Sequence, residues 1–213
     1  GGYSRKQAGI LVRKKRVSSE GSILLKSATH YPEDVLLEMD GENLSRPPKV
    51  IAFHKPAGVI STSEDPQGRP CVGDWLPPRF HIVGRLDSET RGLLLFSSDG
   101  AMTQRMLHPK FGTEREYIAW VEGTPLPELI ARLAVGIETS VGLAKGRVLE
   151  LGPDWVRLVM TEGRNRVVRR MLHNAGHSVI DLKRLRFGEI VLDDLEEGSS
   201  TAVPLELLFQ WQK

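Results

Sequence analysis

An aspartate beside a glycine-bounded turn is the first residue in this chain whose setting could support chemistry. Asp87 ends a Gly-Arg-Leu-Asp run, and the apolar segment from Leu93 to Phe96 follows it closely. Because that segment predicts a buried strand, Asp87 is expected near a strand end, where a carboxylate can face a cleft and act as nucleophile or base. An ordinary Asx turn or helix cap uses the same residue types, so both interpretations stay open for this run alone.

Tyr117 is a second candidate, and it lies at the head of an alternating strand pattern that begins with Glu116. A buried phenol in such a place can transfer a proton or stack on a base ring. A half-buried tyrosine with a purely structural role fits the same pattern. Taken by itself, Tyr117 is better explained by that structural role.

Four arginines and no acid lie between residues 163 and 170. Three of them, Arg166, Arg169 and Arg170, are three or four positions apart in a segment, 165–174, that has a helical pattern, so they share part of one helix side. Guanidinium groups suit bidentate contacts with phosphate or carboxylate. A solvated helix face is the alternative, and the absence of a compensating acid within the run makes it the weaker one.

The remaining pattern predicts two units joined by a short linker. Residues 1–44 read as a small module of a helix (4–16) and hairpin strands (17–25 and 35–39), with turns at 32–34 and at 40–41. Residues 45–48 contain paired prolines and read as the linker, and residues 49–213 form the larger unit. Its predicted strands are 50–53, 93–97, 116–121, 147–151 and 155–161, and its predicted helices are 100–107, 125–135 and 165–174. Because strands and helices mix without regular alternation, the fold class is expected to be α+β.

Composition excludes several protein classes. The chain has 213 residues, of which 40% are hydrophobic and 26% are charged, which is typical of a soluble globular protein. Cys71 is the single cysteine, so an intrachain disulfide is excluded and a reducing compartment is favoured, either the cytoplasm or an organelle. No apolar run is long enough for a membrane span, and no secretory leader is recognised. Histidines 173 and 177 flank a glycine, so no metal site is expected.

The net charge of +2 conceals a segregation of signs along the chain. Residues 1–16 contain six basic residues and no acid, as the arginine run does. Such segregation suggests a basic face for a polyanion, although two solvated charged surfaces fit the totals equally well. The basic residues near the start of the chain are Arg5, Lys6, Arg13, Lys14, Lys15 and Arg16.

In combination, these motifs resemble those of the pseudouridine synthases, in particular the bacterial branch that modifies single uridines in ribosomal RNA. The resemblance rests on His-Lys-Pro-x-Gly at 54–58, Gly-Arg-Leu-Asp at 84–87, Glu-Tyr at 116–117 and Glu-Gly-Arg-Asn-Arg at 162–166. The stretch 64–78 is most like the large-subunit (23S) members. Residues 4–44 resemble most of an S4 RNA-binding domain whose usual first helix would precede Gly1, so a truncated or processed start is expected.

The resemblance implies an activity and roles for individual residues. Enzymes of this family break the uridine N-glycosidic bond, rotate the uracil and rejoin it to ribose through C5, without cofactor or metal. Asp87 would be the essential aspartate, attacking the ribose C1′ or the base, or abstracting the 2′-carbon proton. Tyr117 would pack on the uracil and assist proton transfer, and Arg169 would pair with Asp87. Arg85 would fill the gap left by the flipped nucleotide, and further RNA contacts are expected from Arg164, Asn165, Arg166, Arg170 and the basic residues of the first 16.

The expected fold is therefore a pseudouridine synthase domain with a central mixed, largely antiparallel sheet, plus a small S4-like module. The expected partner is ribosomal RNA or a pre-ribosomal particle, large-subunit RNA being favoured over small-subunit RNA and both over transfer RNA. A monomer without a membrane association is expected. The rival class is an RNA-binding ribosome-assembly factor that keeps the fold without turnover, and a base-excising glycosylase is a third. One departure from the family pattern is Val167, where a polar residue is usual.

Overall fold

The computed structural model describes residues 5–19, 21–24, 26, 36–44 and 48–211, and the chain divides into two compact units, Gly1–Pro47 and Pro48–Lys213. Several predicted features lie outside the described residues: the start of the first helix at residue 4, the turn at 32–34, the start of the strand at 35, and residues 45–47 of the linker. Within the described part of the chain, no helix is long and apolar enough to cross a membrane.

Among its described residues, the first unit contains one helix and a four-stranded antiparallel sheet. The elements are α1 (Arg5–Arg13), β1 (Val17–Ser19), β2 (Ser22–Ile23), β3 (Glu38–Met39) and β4 (Glu42–Asn43), and the strand order is β2-β1-β3-β4. The predicted turn at Asp40-Gly41 is present, and both residues have positive φ. Arg16, which follows α1, donates from Nε to both carboxylate oxygens of Asp40, at 3.0 and 2.9 Å. These bonds connect the residues after α1 to the β3–β4 turn.

The second unit is built on a nine-stranded sheet. Its strands are β5 (Val50–Lys55), β6 (His81–Val83), β7 (Thr90–Ser97), β8 (Arg115–Val121), β9 (Arg147–Leu151), β10 (Trp155–Met160), β11 (Val179–Phe187), β12 (Ile190–Val191) and β13 (Ser200–Ala202). Its helices are α2 (Gly100–Leu107), α3 (Glu128–Val135) and α4 (Val167–Asn174), and short 3-10 turns cover Val72–Trp75, Pro109–Phe111 and Leu205–Trp211.

The sheet is mixed and largely antiparallel, which confirms the predicted fold class. The strand order is β13-β5-β7-β11-β8-β10-β9, with β12 paired to β11 and β6 paired to β7. β7 and β11 are parallel, whereas the other pairs in this sheet are antiparallel. A Cβ at Gly92 would lie 2.3 Å from the carbonyl oxygen of Arg184, so only glycine allows β7 to approach β11 this closely.

Two apolar clusters bury the sheet. One contains Leu94 and Phe96 of β7 together with Val168 and Met171 of α4, and the other contains Leu93 and Leu95 of β7 with the α2 methionines. Alternate residues of β7 therefore enter opposite clusters, as the period of a strand requires. The predicted apolar face of α4 is confirmed, because its valines, Met171 and Leu172 are buried.

Helix α4 begins at Val167, two residues later than predicted. Arg166 precedes it in the left-handed backbone region, with φ 53° and ψ 25°, so the regular helix cannot include residue 166. Val167 is buried in the first apolar cluster. The residue that departs from the family pattern therefore contributes to the core under α4.

Candidate active site

A cleft of about 1270 Å³ lies over one face of the large sheet. Asp87, Tyr117 and Arg169, which lie far apart in the sequence, all line it. So do Arg85 and the Glu-Gly-Arg-Asn-Arg segment, 162–166. The tertiary structure therefore brings the motif residues of the resemblance to one cavity.

The turn that carries Asp87 is held on both sides by backbone hydrogen bonds. The Ser61 hydroxyl donates to the carbonyl of Leu86 at 2.7 Å and accepts from the Leu86 amide at 3.1 Å. The amide of Gly58 donates to the carbonyl of Ser88 at 2.8 Å, and the amide of Thr90 donates to the carbonyl of Asp87 at 3.0 Å. These bonds fix the backbone around Asp87, so its carboxylate is presented to the cleft from a rigid turn.

Lys55 lies beneath that turn and is fully buried. Its ammonium group donates to the carbonyls of Pro56 and Val59, each at 2.7 Å, and to the carbonyl of Ser88 at 3.3 Å. Burial lowers the pKa of Lys55 to about 8, and the nearby Asp87 charge opposes this shift. The sequence reasoning assigned no role to Lys55, although its place in the His-Lys-Pro-x-Gly motif was an available signal.

Arg166 and Arg169 both lie near Asp87, and each of them also contacts Glu89. Nη1 of Arg166 is 3.9 Å from Oδ2 of Asp87, whereas Arg169 Nη1 lies 3.6 Å from Oε2 of Glu89. Arg169 also donates to the carbonyls of Val179 and Glu89, at 3.2 and 3.4 Å. Glu89 therefore makes the closest ion pair of Arg169, while the charge of Asp87 also acts on this guanidinium group, and the pairing of Arg169 with Asp87 stays a prediction.

Asp87 is also more open to solvent than a closed apolar site would allow. Its side chain keeps 26% of its accessible surface. Arg169 beside it is buried, and burial lowers the pKa of that guanidinium, although Glu89 and Asp87 oppose the shift. The site therefore combines the partly exposed carboxylate of Asp87 with the buried guanidinium of Arg169. A ligand in the cleft would cover the exposed part of Asp87.

The floor of the cleft is the face of the sheet formed by β8 and β11. Tyr117 lies opposite Arg184 in the strand register, and Arg115 lies opposite Phe187. The guanidinium carbons of Arg115 and Arg184 lie 4.9 and 5.3 Å from the centre of the Phe187 ring. Burial lowers the pKa of Arg115. The sequence reasoning missed both floor arginines, because strand arginines carry no signal of burial.

Both floor arginines are bound to carbonyl groups and not to carboxylates. Arg115 Nη1 donates to the carbonyls of Thr113 and Thr161, at 2.9 and 3.3 Å, and Arg184 Nε donates to the carbonyl of Leu93 at 2.7 Å. Nη2 of Arg184 is buried and has no hydrogen-bond partner among the described residues. Within the described part of the chain, neither floor arginine forms an ion pair with a carboxylate.

The predicted RNA-binding residues of the second unit differ in how far they are already engaged. Arg85 is exposed and makes no hydrogen bond or ion pair with the described part of the chain. Arg164 is occupied by Glu162 and by the carbonyls of Val141 and Leu143. Its guanidinium therefore stabilises the loop of Val141 and Leu143, and few of its N–H groups are left to bind a ligand.

Arg166 lies beside Asp87, as described above, and the remaining two members of that set contact each other. Arg170 donates from Nε to the carbonyl of Asn165 at 3.2 Å and from Nη2 to its side-chain oxygen at 3.4 Å, and it also donates to the hydroxyl of Ser140. Both remain partly or fully accessible to solvent.

In the first unit, the predicted basic residues with described side chains are exposed: Lys6, Arg13, Lys14, Lys15 and Arg16. Arg16 is partly engaged, because it donates to the carboxylate of Asp40. This hydrogen bond lowers the pKa of the Asp40 carboxyl. The side chain of Arg5 lies outside the described residues.

Metal ligands are not assembled here. Over residues 5–19, 21–24, 26, 36–44 and 48–211, no group of three or more His, Cys, Asp or Glu side chains could hold a metal ion. Nδ1 of His173 lies 3.3 Å from the Ser178 hydroxyl, and Nδ1 of His177 lies 3.3 Å from the carbonyl of Glu122.

Comparison with known proteins identifies relatives over most of the chain. Residues 49–174 match the family model described as RNA pseudouridylate synthase. The chain is 35% identical over 208 residues to ribosomal large subunit pseudouridine synthase B of Bacillus subtilis (strain 168), covering 92% of this chain and 85% of that protein. It is 36% identical over 205 residues to the Vibrio cholerae protein of the same name, covering 89% of this chain and 64% of that one.

A similar relative and a solved structure complete the comparison. A Xylella fastidiosa protein of the same name is 39% identical over 188 residues, which cover 79% of this chain and 40% of the relative. The crystal structure of a pseudouridylate synthase matches with a TM-score of 0.71 and 25% identity, over 99% of this chain and 94% of that chain. The curated relatives therefore match this chain in sequence, and the solved structure matches it in fold.

Proposed function

The chain belongs to the RNA pseudouridylate synthase family, and on that premise we propose that it converts uridine to pseudouridine in ribosomal RNA. The observation that carries this proposal is the position of Asp87, on a rigid turn at the cleft and inside the matched region. The relatives named above are large-subunit pseudouridine synthases, which favours large-subunit ribosomal RNA as the substrate.

The reaction requires that the uridine leave its stack, because its glycosidic bond is inaccessible inside folded RNA. Extruding a nucleotide costs a few kcal/mol. Arg85 is exposed, lines the cleft and has no ion-pair partner among the described residues, so it is suited to offset part of that cost by stacking and by contacting phosphate. The half-exposed setting of Asp87 then leaves room for the extruded nucleotide.

The chemical step is an isomerisation with no net loss of atoms. The bond between C1′ and N1 breaks, the uracil rotates, and a bond forms between C1′ and C5, while the C5 hydrogen is replaced by one on N1. Asp87 serves as nucleophile toward C1′ or the base, or as the base that takes the 2′-carbon proton. Tyr117 packs against the uracil. Arg166 and Arg169 place positive charge beside the carboxylate of Asp87.

The smaller unit is assigned to RNA affinity. Its exposed basic residues on and after α1 would contact RNA phosphates without regard to sequence, as expected for an S4-like module over residues 1–44. We assign residues 45–48 to the linker and 49–213 to the synthase domain, which works as a monomer on RNA or a pre-ribosomal particle. No cofactor is required by this scheme.

Site-resolved mapping tests the function directly. Unmodified large- and small-subunit ribosomal RNA and transfer RNA are treated with the protein, with Asp87→Asn, or with Asp154→Asn as an exposed control of the same chemistry. Pseudouridine is then located by carbodiimide adduct formation and primer extension. The expected result is one stop, or a few neighbouring stops, in large-subunit RNA with the unaltered protein and with Asp154→Asn only.

The outcomes also separate the rival classes. Salt-sensitive RNA binding without any stop, on free RNA and on pre-ribosomal particles alike, would contradict the synthase and support an assembly factor. Release of free uracil would indicate a glycosylase instead. A stop confined to small-subunit RNA or transfer RNA would keep the activity and overturn the substrate assignment.

A further inference from the structure

A second groove of about 490 Å³ adjoins the cleft along helix α4. It shares Glu89, Arg166 and Arg169 with the cleft, and beyond them it is lined by residues of α4 and by the segments around Ser140 and Ser178. The α4 residues include Arg170 and His173. These shared walls make the groove a continuation of the cleft within the same unit.

The groove is lined by more cationic than acidic side chains, and the carboxylates of Asp87 and Asp181 act on its arginines from outside the lining. Arg166, Arg169 and Arg170 supply three guanidinium groups, whereas Glu89 is the one acid among the lining residues. Nε of Arg169 is in addition buried without a hydrogen-bond partner in the described part of the chain. The lining of the groove therefore holds more guanidinium groups than carboxylates.

Glu89 makes the kind of contact that a phosphate would make. Nη1 and Nη2 of Arg166 donate to its two carboxylate oxygens at 3.1 and 3.2 Å, and Arg169 approaches at 3.6 Å. The hydrogen bond from Arg166 holds the pKa of Glu89 below its usual value. Two parallel bonds to one guanidinium are the geometry that arginine also uses for a phosphodiester.

Glu89 is free to leave this position. Its side chain keeps 55% of its accessible surface, so rotation into solvent meets little steric resistance. Nη1 of Arg166 is also within 3.9 Å of Asp87, which places the Glu89 contact immediately beside the carboxylate assigned to catalysis. A phosphate in place of Glu89 would therefore belong to a nucleotide adjoining the target uridine.

We propose that this groove is a subsite for a backbone phosphate of single-stranded RNA next to the target uridine, and that Glu89 occupies the subsite until RNA displaces it. The proposal rests on the proposed function for the identity of the RNA. Glu89 then acts as an internal competitor, and binding of RNA exchanges one anion on Arg166 and Arg169 for another. Arg170 and His173 extend the same path away from the cleft.

The subsite is tested by the binding of a short oligouridylate to the full chain, measured by fluorescence anisotropy from about 0.05 to about 0.3 M salt. Screening of exposed charges increases over this range. Glu89→Gln is expected to tighten binding about fivefold at the lowest salt, with a smaller gain at higher salt, because a repelling charge is removed. Arg170→Gln is expected to weaken binding about fivefold and to reduce the slope of log K against log salt by about 0.7.

Matched variants control for general charge effects. Glu128→Gln and Lys145→Gln change the same charges at exposed positions that line neither cavity, and each is expected to alter binding less than twofold. Circular dichroism verifies that all variants are folded. Unchanged or weaker binding by Glu89→Gln, or equal effects of Arg170→Gln and Lys145→Gln, would overturn the subsite.

Failure of the subsite and failure of the proposed function give different results. If the protein modifies ribosomal RNA while Glu89→Gln and Arg170→Gln bind like the unaltered chain, the subsite is wrong and the synthase stands. If no RNA is modified but Glu89→Gln tightens and Arg170→Gln weakens oligouridylate binding as stated, the subsite stands and the synthase is wrong.

Discussion

The two faces of the strand pair β8–β11 carry charged residues in opposite ways. On the face away from the cleft, Glu116 accepts from Arg157 at 2.7 Å and from Arg186 at 2.9 Å, and Glu114 accepts from Arg186 and Arg147, each at 2.9 Å. This group, which we term the paired-charge cluster, matches each carboxylate with two guanidinium groups.

On the cleft face, the charges of the same strands are left without such partners. Arg115 and Arg184 bind carbonyl groups, and the Tyr117 hydroxyl makes no hydrogen bond with the described residues. Buried polar groups are costly when unmatched, so a fold retains them where a ligand will complete them. The contrast indicates that the paired-charge cluster serves stability and that the cleft face serves binding and chemistry.

The largest expected effect is on the cleft side, at Asp87. Asp87→Asn should reduce kcat by about 10²–10⁴-fold, since a positioned catalytic group commonly contributes that much. Stability should change little, because the single ion pair of Asp87 to a described residue is long, 3.9 Å. Single-turnover rates on ribosomal RNA and urea unfolding provide the two measurements.

If Asp87→Asn lowered the free energy of unfolding without lowering the rate, the division of roles between the two faces would be contradicted. RNA affinity should remain within about threefold, because a half-exposed aspartate adds repulsion and not attraction toward phosphate. Asp154→Asn is the control and should leave rate, affinity and stability unchanged.

Glu116→Gln should have the next largest effect, and of the opposite kind. Removing this buried carboxylate leaves Arg157 and Arg186 without their shared partner, so the free energy of unfolding should fall by about 2 kcal/mol. The rate per folded molecule should stay within about threefold. Urea denaturation measures the first quantity, and a large loss of rate at unchanged stability would refute the division between the faces.

The pH dependence sharpens the same prediction. Burial raises the pKa of Glu116, but hydrogen bonds from Arg186 and Arg157 outweigh it and hold the pKa below its usual value. Such a group stabilises the fold above the unfolded-state pKa, about 4.3, and loses that contribution as pH falls through the lower folded value. The stability gap between the unaltered protein and Glu116→Gln should therefore be constant from pH 7 to 5 and narrow below pH 4.

Tyr117→Phe should reduce kcat about tenfold at saturating RNA with almost no change in stability. The hydroxyl has no partner to lose among the described residues, whereas the ring keeps its packing in the first apolar cluster. Rapid-quench rates at saturating RNA give kcat. An unchanged kcat would restrict Tyr117 to packing against the uracil.

Arg147→Gln should show the smallest effect. Its guanidinium is 61% exposed, and its ion pair with Glu114 belongs to the outer edge of the paired-charge cluster. Such surface pairs contribute about 0.2–1 kcal/mol, and salt weakens them further. A loss much larger than this in urea denaturation would show that the cluster is cooperative, with its edge as important as Glu116.

Several features of the fold could be predicted from local pattern alone. The helix at 100–107 and the start of β5 at Val50 coincide with the sequence-based boundaries, because periodicity and turn residues act over a few positions. The helix after the arginine run was placed two residues too early. Arg166 has a left-handed backbone conformation, and no residue type in its vicinity along the sequence indicates it.

By itself, the sequence determined the family, the α+β class and the motif residues that line the cleft, since these depend on residue types at set spacings. It did not indicate the floor arginines Arg115 and Arg184. Only the tertiary structure decided how the charges are shared. Glu89, and not Asp87, binds Arg166 and Arg169 most closely, and Lys55 supports the turn of Asp87 from beneath. Ion pairing depends on distances of a few ångströms between segments remote along the chain, and such distances exist only after the strands and helices have packed.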